Sequence, residues 1–527
     1  MDQSSQETGK NEAEIVLRLS GITKRFGPLV ANNAISFDLK RGEVVALLGE
    51  NGAGKTTLMN ILFGHYVADE GEVEVFGKIL PQGEPRAALD AGIGMVHQHF
   101  TLADQMSVVE NIALGTQPLF APRLNRAKAL ARIGELSSDF GLEVKPDALV
   151  GELSVGERQR VEILKALYRN ARVLILDEPT AVLTPLETEA LFKTLKMLVA
   201  KGLSIIFISH KLVEVMAVSD RVLVLRSGRL SGQRQTDKTN KSELAELMVG
   251  GEIDFPAIAE KEVGATLFAM KDVHASEAGA GAALKGISLE LKAGEIVGLA
   301  GVSGNGQAAL AALIAGTLAP QSGTLAINGK KISRWSPRTA LDHRIGRIPE
   351  DRHAVGMIGD MSITENMISE RYDTRRFSRF GVLDWKAARG FAEEIIDAYD
   401  IKCPSPEAAV RLLSGGNMQK LILGRALDGD PLIILANQPT RGLDVGAVAY
   451  VHKKLLEARA RGAAILLISE DLDEILTLAD RIIVMSKGRL STPSPRGERS
   501  VRQLGELMAG HGFSDKDGPD TESANAA

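Results

Sequence analysis

Only one of the 527 residues is a cysteine, Cys403. No intrachain disulfide and no cysteine-built zinc or iron–sulfur site can form, which fits a reducing, cytoplasmic setting. Long apolar runs are missing as well. The longest, such as Val44 to Leu48 and Ile205 to Ile208, suit buried strands and fall far short of the roughly 18 residues a membrane span needs. The stretch from Met1 to Glu14 is polar and lacks the apolar centre of a secretory leader. An excess of positive charge is also absent: the formal net charge is −5, which argues against a general nucleic-acid binder. The chain is nevertheless rich in core-forming residues, with 44% hydrophobic, 24% charged and a mean hydropathy of +0.01. That balance excludes disorder for its bulk. Length alone predicts about three or four domains of roughly 150 residues.

The sequence is duplicated. Gly42-Glu43-Val44 returns as Gly294-Glu295-Ile296, and Ile93-Gly94-Met95-Val96 as Ile345-Gly346-Arg347-Ile348, both at an offset of 252. Met106 to Asn111 returns as Met361 to Asn366 at an offset of 255. Leu153-Ser154 returns as Leu413-Ser414, Pro179-Thr180 as Pro439-Thr440 and Asp220-Arg221 as Asp480-Arg481, all at 260. The second copy has therefore gained residues inside one region. A period near 250 is a whole domain rather than a solenoid repeat. The joint, Val249 to Ala265, is short and mildly acidic, so the halves should stay close. Domains are expected at 14–250 and 265–511, with disordered tails at 1–13 and 512–527. Within each half, short β-branched runs (Val44 to Leu48, Val173 to Leu176, Ile205 to Ser209, Val222 to Leu225) alternate with amphipathic stretches. This predicts an α/β core with a largely parallel sheet, interrupted by a mainly helical segment from about 103 to 152.

Gly49-Glu50-Asn51-Gly52-Ala53-Gly54-Lys55-Thr56 fits the phosphate-loop pattern G-x-x-x-x-G-K-[ST] in full, between a strand and the helical Leu58 to Leu62. The glycines let backbone N–H groups face phosphate oxygens, and the helix start adds positive potential. Lys55 is expected to reach the terminal phosphates of a nucleotide and the Thr56 hydroxyl to ligate Mg²⁺; Thr57, next along the chain, is expected to bind ATP with them. Val173 to Leu176 runs into Asp177-Glu178. Alone, two acids after a strand are an ordinary solvated end. Beside a phosphate loop, Asp177 suits Mg²⁺ through water and Glu178 suits the polarisation of an attacking water.

Leu153-Ser154-Val155-Gly156-Glu157-Arg158-Gln159-Arg160 stands about twenty residues before that strand. In this order the sequence resembles the ATP-binding cassette (ABC) ATPases, whose signature is Leu-Ser-Gly-Gly-Gln, over roughly residues 14 to 250 and 265 to 511. The resemblance implies two tandem phosphate-loop ATPase domains, each with a RecA-like, mostly parallel sheet, an antiparallel β subdomain and a helical signature subdomain. It also implies roles for three further residues: Gln98 as the glutamine-loop residue and Mg²⁺ ligand, His210 as the switch histidine, and Phe26 as the aromatic that stacks on adenine.

The second copy departs from this pattern. Gly301-Val302-Ser303-Gly304-Asn305-Gly306-Gln307-Ala308 keeps the glycines and loses the lysine and the metal hydroxyl. Asn437 and Gln438 replace the two acids, Glu350 stands at the glutamine position, Glu470 stands at the switch position, and no aromatic occurs near Ser276. Yet Leu413-Ser414-Gly415-Gly416-Asn417 is nearly the family signature, and Gly442-Leu443-Asp444 follows it, where the first copy has Val182-Leu183-Thr184. Members of the family pair cassettes head to tail, each ATP lying between one phosphate loop and the other signature. That pairing would gather every intact part in one site: Lys55, Thr56, Asp177, Glu178, Gln98 and His210 with Ser414, Gly415, Gly416, Asn417 and Asp444.

ABC cassettes act as motors, and a chain without membrane helices implies separate integral membrane permease subunits and, indirectly, a solute-binding protein. The expected location is peripheral, on the cytoplasmic face of the inner membrane. Twin cassettes with a degenerate second half resemble bacterial importers of simple sugars and nucleosides. Gly94 to Phe100 and Leu435 to Asp444 look most like the nucleoside (basic-membrane-protein-linked) branch, with ribose- or galactose-type importers as the alternative. A soluble twin-cassette ATPase acting on ribosomes is the reading from a different class; its short acidic joint and its degenerate second copy tell against it.

Overall fold

The computed structural model describes residues 14–50, 52–97, 100–116, 125–180, 183–251, 262–276, 282–511 and 513. The expected tails, apart from residue 513, and most of the joint between the copies lie outside these residues. The chain divides into two compact units, 1–253 and 254–527. Length alone predicts more domains than this. Each unit instead carries two hydrophobic clusters, one on either side of its main sheet.

In the first unit, Ile15–Phe26 pairs antiparallel with Leu29–Lys40 and with Glu70–Val75. Lys78–Ile79 completes this four-stranded sheet. The main sheet runs Arg229–Gln235, Arg221–Arg226, Val44–Gly49, Ser204–Ser209, Val173–Asp177, Ile93–Val96. All of its pairs are parallel except the edge pair Arg229–Gln235 with Arg221–Arg226. Val44–Gly49, Val173–Asp177 and Ser204–Ser209 are buried throughout, as a parallel sheet covered on both faces requires. Side chains alternate between the clusters: Val173 and Ile175 face one, Leu174 and Leu176 the other. The register sets Leu48 beside Ser209 and Asp177 beside Ile208, so the loops after three central strands emerge side by side.

The segment between Ile93–Val96 and Val173–Asp177 contributes the helices Val108–Ala113, Arg126–Phe140 and Val155–Tyr168. Asn111 is fully buried there. Its amide bonds the carbonyls of Ala103, Met106 and Ser107 and accepts from the Ala103 N–H. Asn366 does the same work in the second unit with Ile358, Met361 and Ser362.

The second unit repeats the plan, with Ile345–Ile348, Ile433–Asn437, Ala464–Ser469, Ile296–Ala300 and Arg481–Ser486 in its main sheet. Two features follow the rises in offset: a π-helical turn, Arg352–Gly356, and a small hairpin, Ser378–Arg379 with Val382–Leu383. The polar struts at the base of the sheet are retained. Asp220 accepts from the Val44 N–H and Asp480 from the Ile296 N–H, each at 2.8 Å. Arg221 pairs with Glu43 and Arg481 with Glu295. Among the described residues, no helix is long and apolar enough to cross a membrane.

Candidate active site

The loop after Val44–Gly49 is shaped by glycine. Gly52 and Gly54 have φ of 84° and 99°, the left-handed region that glycine enters without penalty. A Cβ on Gly54 would run into the Ala31 carbonyl. The Asn32 amide donates to the Gly54 carbonyl at 3.1 Å, and the Gly228 N–H donates to the Ala53 carbonyl. Helix Lys55–Leu62 begins directly after Gly54, with Thr56 exposed and Thr57 half-buried. Lys55 is buried, its ammonium donating to the carbonyls of Gly49 at 2.7 Å and Glu50 at 2.9 Å. Burial lowers its pKa; Glu178, Asp177 and Glu50 oppose that.

Asp177 is 8% exposed. Burial first, and then the Glu178 charge, push its carboxyl up, while Lys55 pulls it down. Glu178 has φ 45°, a conformation costing a non-glycine residue about 1–2 kcal/mol. It is held there by its N–H, which donates to the Ile208 carbonyl at 3.0 Å. Its carboxylate meets the His210 ring at Nδ1, 2.8 Å away. That hydrogen bond is the main reason its carboxyl lies below the usual range. Gln438 keeps the same strained backbone, φ 49°, with its N–H on Ile468. The fold thus preserves the position in the second unit after its acid is gone.

Lys55, Asp177, Glu178 and His210 therefore converge. Phe26 ends its strand 43% exposed, edge-on to Tyr66 at 5.7 Å between ring centres. Tyr66 lies just past the helix that follows the phosphate loop, and the sequence reading missed it. Asn51 and Gln98 lie outside the described residues, as does Val182. Next to Gln98 the chain is anchored: the N–H and hydroxyl of Thr101 both donate to Glu162, at 2.6 and 3.0 Å. Glu162, a buried acid on the signature helix, also escaped the sequence reading.

The two signature turns differ chemically. Ser154 and Glu157 form a capping box: the Ser154 N–H and hydroxyl both donate to the Glu157 carboxylate, at 2.9 and 2.8 Å. Those bonds hold the Glu157 carboxyl below its usual range. The helix start in the first unit is thus already occupied by a negative charge. In the second unit, Ser414 accepts from the Asn417 side chain at 2.9 Å and from its N–H at 3.4 Å. Its hydroxyl proton stays uncommitted among the described residues. Gly415 is exposed and Gly416 half-buried, and a Cβ on either would meet no atom closer than 3.8 Å. Asp444 caps the next helix, accepting from the Ala447 N–H at 2.7 Å. The buried Gln419 reaches from the signature helix to the Pro439 carbonyl at 2.7 Å, as Gln159 does to Pro179.

The degenerate loop is filled from within. The Gln307 amide donates to the Val302 carbonyl at 2.9 Å, lodged where Lys55 stands in the first unit.

A phosphate loop, a strand-end acid pair and a signature helix in the first unit, with the same fold and a second signature helix in the other, define a twin-cassette ATPase. The chain belongs to the ABC transporter family, whose pattern it matches over residues 32–181 and 284–441. It is 45% identical to the nucleoside import ATP-binding protein NupA of Lactococcus lactis subsp. cremoris (94% of this chain, 98% of that one). It is also 45% identical to the guanosine import ATP-binding protein NupO of Bacillus subtilis (94% and 98%). The glucose import ATP-binding protein TsgD13 of Haloferax volcanii is 42% identical (95% and 96%). Among solved structures, a complex of the archaeal ribosome recycling factor aABCE1 with a ribosomal stalk protein aligns over 94% of this chain and 97% of that one. The TM-score is 0.59 at 20% identity, a likeness of fold alone.

Proposed function

We propose that this chain is the ATP-hydrolysing subunit of an importer, driving nucleoside uptake through separate permease subunits on the cytoplasmic face of the membrane. The observation that carries the reading is kinship along nearly the whole chain to nucleoside and guanosine import proteins. Monosaccharide import is the second reading, favoured by the 42% identity to a glucose import protein. A solute-binding protein would act with the permease.

Lys55, in place of its two loop carbonyls, would bind the terminal phosphates of ATP; backbone N–H groups from Glu50 to Thr57 would cradle the rest. Phe26 would stack on adenine. Glu178, kept ionised by His210, would orient the attacking water and draw off its proton. The buried Asp177 beside a lysine, with the exposed Thr56, is a donor set that fits Mg²⁺: Thr56, Asp177 and Gln98 would hold it. When bound, Mg²⁺ neutralises phosphate charge. Head-to-tail pairing of the units would bring Ser414, Gly415, Gly416, Asn417 and Asp444 to that same ATP, leaving the other site without hydrolysis and with weak nucleotide binding at best. An uptake assay with labelled nucleosides and sugars, in cells expressing this chain with its permease, tests the substrate. Uptake of sugars alone would overturn the nucleoside reading.

A further inference from the structure

The turn Arg352–Gly356 coincides with the first rise in offset. At the offset that holds up to Ile348, Arg352 answers to Phe100 of the first unit. Its Nη2 donates to the Arg441 carbonyl at 2.6 Å, and the Arg441 guanidinium in turn pairs with Glu350. The turn is fixed at both ends. Asp351 accepts from the N–H groups of His353 and Ala354, both at 2.8 Å, and Arg425 donates to the Gly356 carbonyl at 2.6 Å. The backbone that carries Arg352 is therefore held in place.

Its guanidinium reaches two glycines. A Cβ on Gly442 would lie 3.4 Å from Nη2, and one on Gly415 would lie 4.0 Å from Nη1. Nη1 itself is buried and has no hydrogen-bond partner among the described residues. One side chain thus lies between the signature turn and the turn before Asp444, hydrogen-bonded to the second and packed beside the first. The first unit is built otherwise: its equivalent segment is tied to Glu162, and Ile422 stands at that position in the second unit. A unit that lacks the phosphate-loop lysine and the strand-end acids holds nucleotide weakly at best, and so has little of its own with which to order its signature. A fixed arginine can do so permanently.

We propose that Arg352 is a positioning residue for ATP hydrolysis, clamping Ser414–Gly415 and Arg441–Gly442 in the arrangement that meets the nucleotide held by Lys55. This rests on the head-to-tail reading above. The clamp acts after ATP has bound to the first unit, so losing it slows turnover without weakening that binding.

The test uses the chain assembled with its permease. Arg352→Met keeps the stem and removes the donors; Arg352→Lys keeps the charge, but a single ammonium cannot span both turns. Both variants are expected to lose about tenfold in kcat, the scale of one charged hydrogen bond. The ATP Kd and the thermal midpoint stay at the parental values. The proposal is overturned if Arg352→Lys keeps parental kcat, or if kcat falls only together with Kd or midpoint. Gly415→Asp is measured in parallel. If it is inactive while both Arg352 variants are normal, the clamp alone is wrong. If it hydrolyses ATP normally, the head-to-tail reading fails, and the clamp with it.

Discussion

At the residue scale the first unit turns on Glu178, whose carboxylate is shaped by a strained backbone, half-burial and His210. Glu178→Gln keeps the shape and loses the charge. Turnover in a steady-state ATPase assay should fall about 10²–10⁴-fold while ATP binding persists. His210→Ala removes the bond that chiefly depresses the Glu178 pKa. Burial then pushes that pKa up, so the carboxylate is lost at a higher pH than in the parent. The acid limb of the kcat–pH profile should shift upward, and an unmoved limb would contradict the role given to His210. Asn417→Glu would copy the Ser154–Glu157 capping box into the second signature, taking up the Ser414 hydroxyl and adding negative charge where the head-to-tail reading would put phosphate. Hydrolysis should drop by about tenfold or more, whereas Glu157→Asn should change it little. The glycine, lysine and acid pattern was readable because the chemistry demands those types at that spacing. The significance of Glu157 was not, since a capping box needs the helix start to be known.

At the element scale, one strand-to-helix turn places Lys55. It depends on Gly54, whose φ of 99° and contact with the Ala31 carbonyl leave no room for a side chain. Gly54→Ala should cost about 1–3 kcal/mol of stability and abolish ATP binding, read by thermal unfolding with and without nucleotide. The parallel strands were legible, because continuous β-branched runs such as Val173 to Leu176 are what double-sided burial selects. Strands such as Glu70–Val75, with exposed charged residues along much of their length, carry no such signal. Their antiparallel sheet entered the reading only through resemblance. Likewise the growing offset announced extra residues in the second copy, but nothing in the pattern showed that one addition would be a π-helical turn braced by arginines.

Across the whole molecule, the two units share their hydrophobic clusters, their buried asparagines Asn111 and Asn366 and their arginine struts. What differs among the described residues is the set of groups that would touch nucleotide, together with the second unit's π-helical turn and small hairpin. Duplication was plain in the sequence because motifs recur in order. The pairing of the units was not, because it is inferred from complementary losses rather than from a local pattern. One tight Mg²⁺-ATP per chain is expected by equilibrium binding, and two equivalent tight sites would contradict the one-site account. The most direct test of a single working site built from both units compares two substitutions in the assembled membrane complex: Gly415→Asp in the intact signature and Val155→Asp in the altered one. Steady-state ATP hydrolysis should be suppressed by Gly415→Asp, with initial nucleotide binding to the first unit spared, and barely changed by Val155→Asp. Equal losses, or a larger loss from Val155→Asp, would mean that the lysine of one unit and the signature of the other do not serve the same ATP.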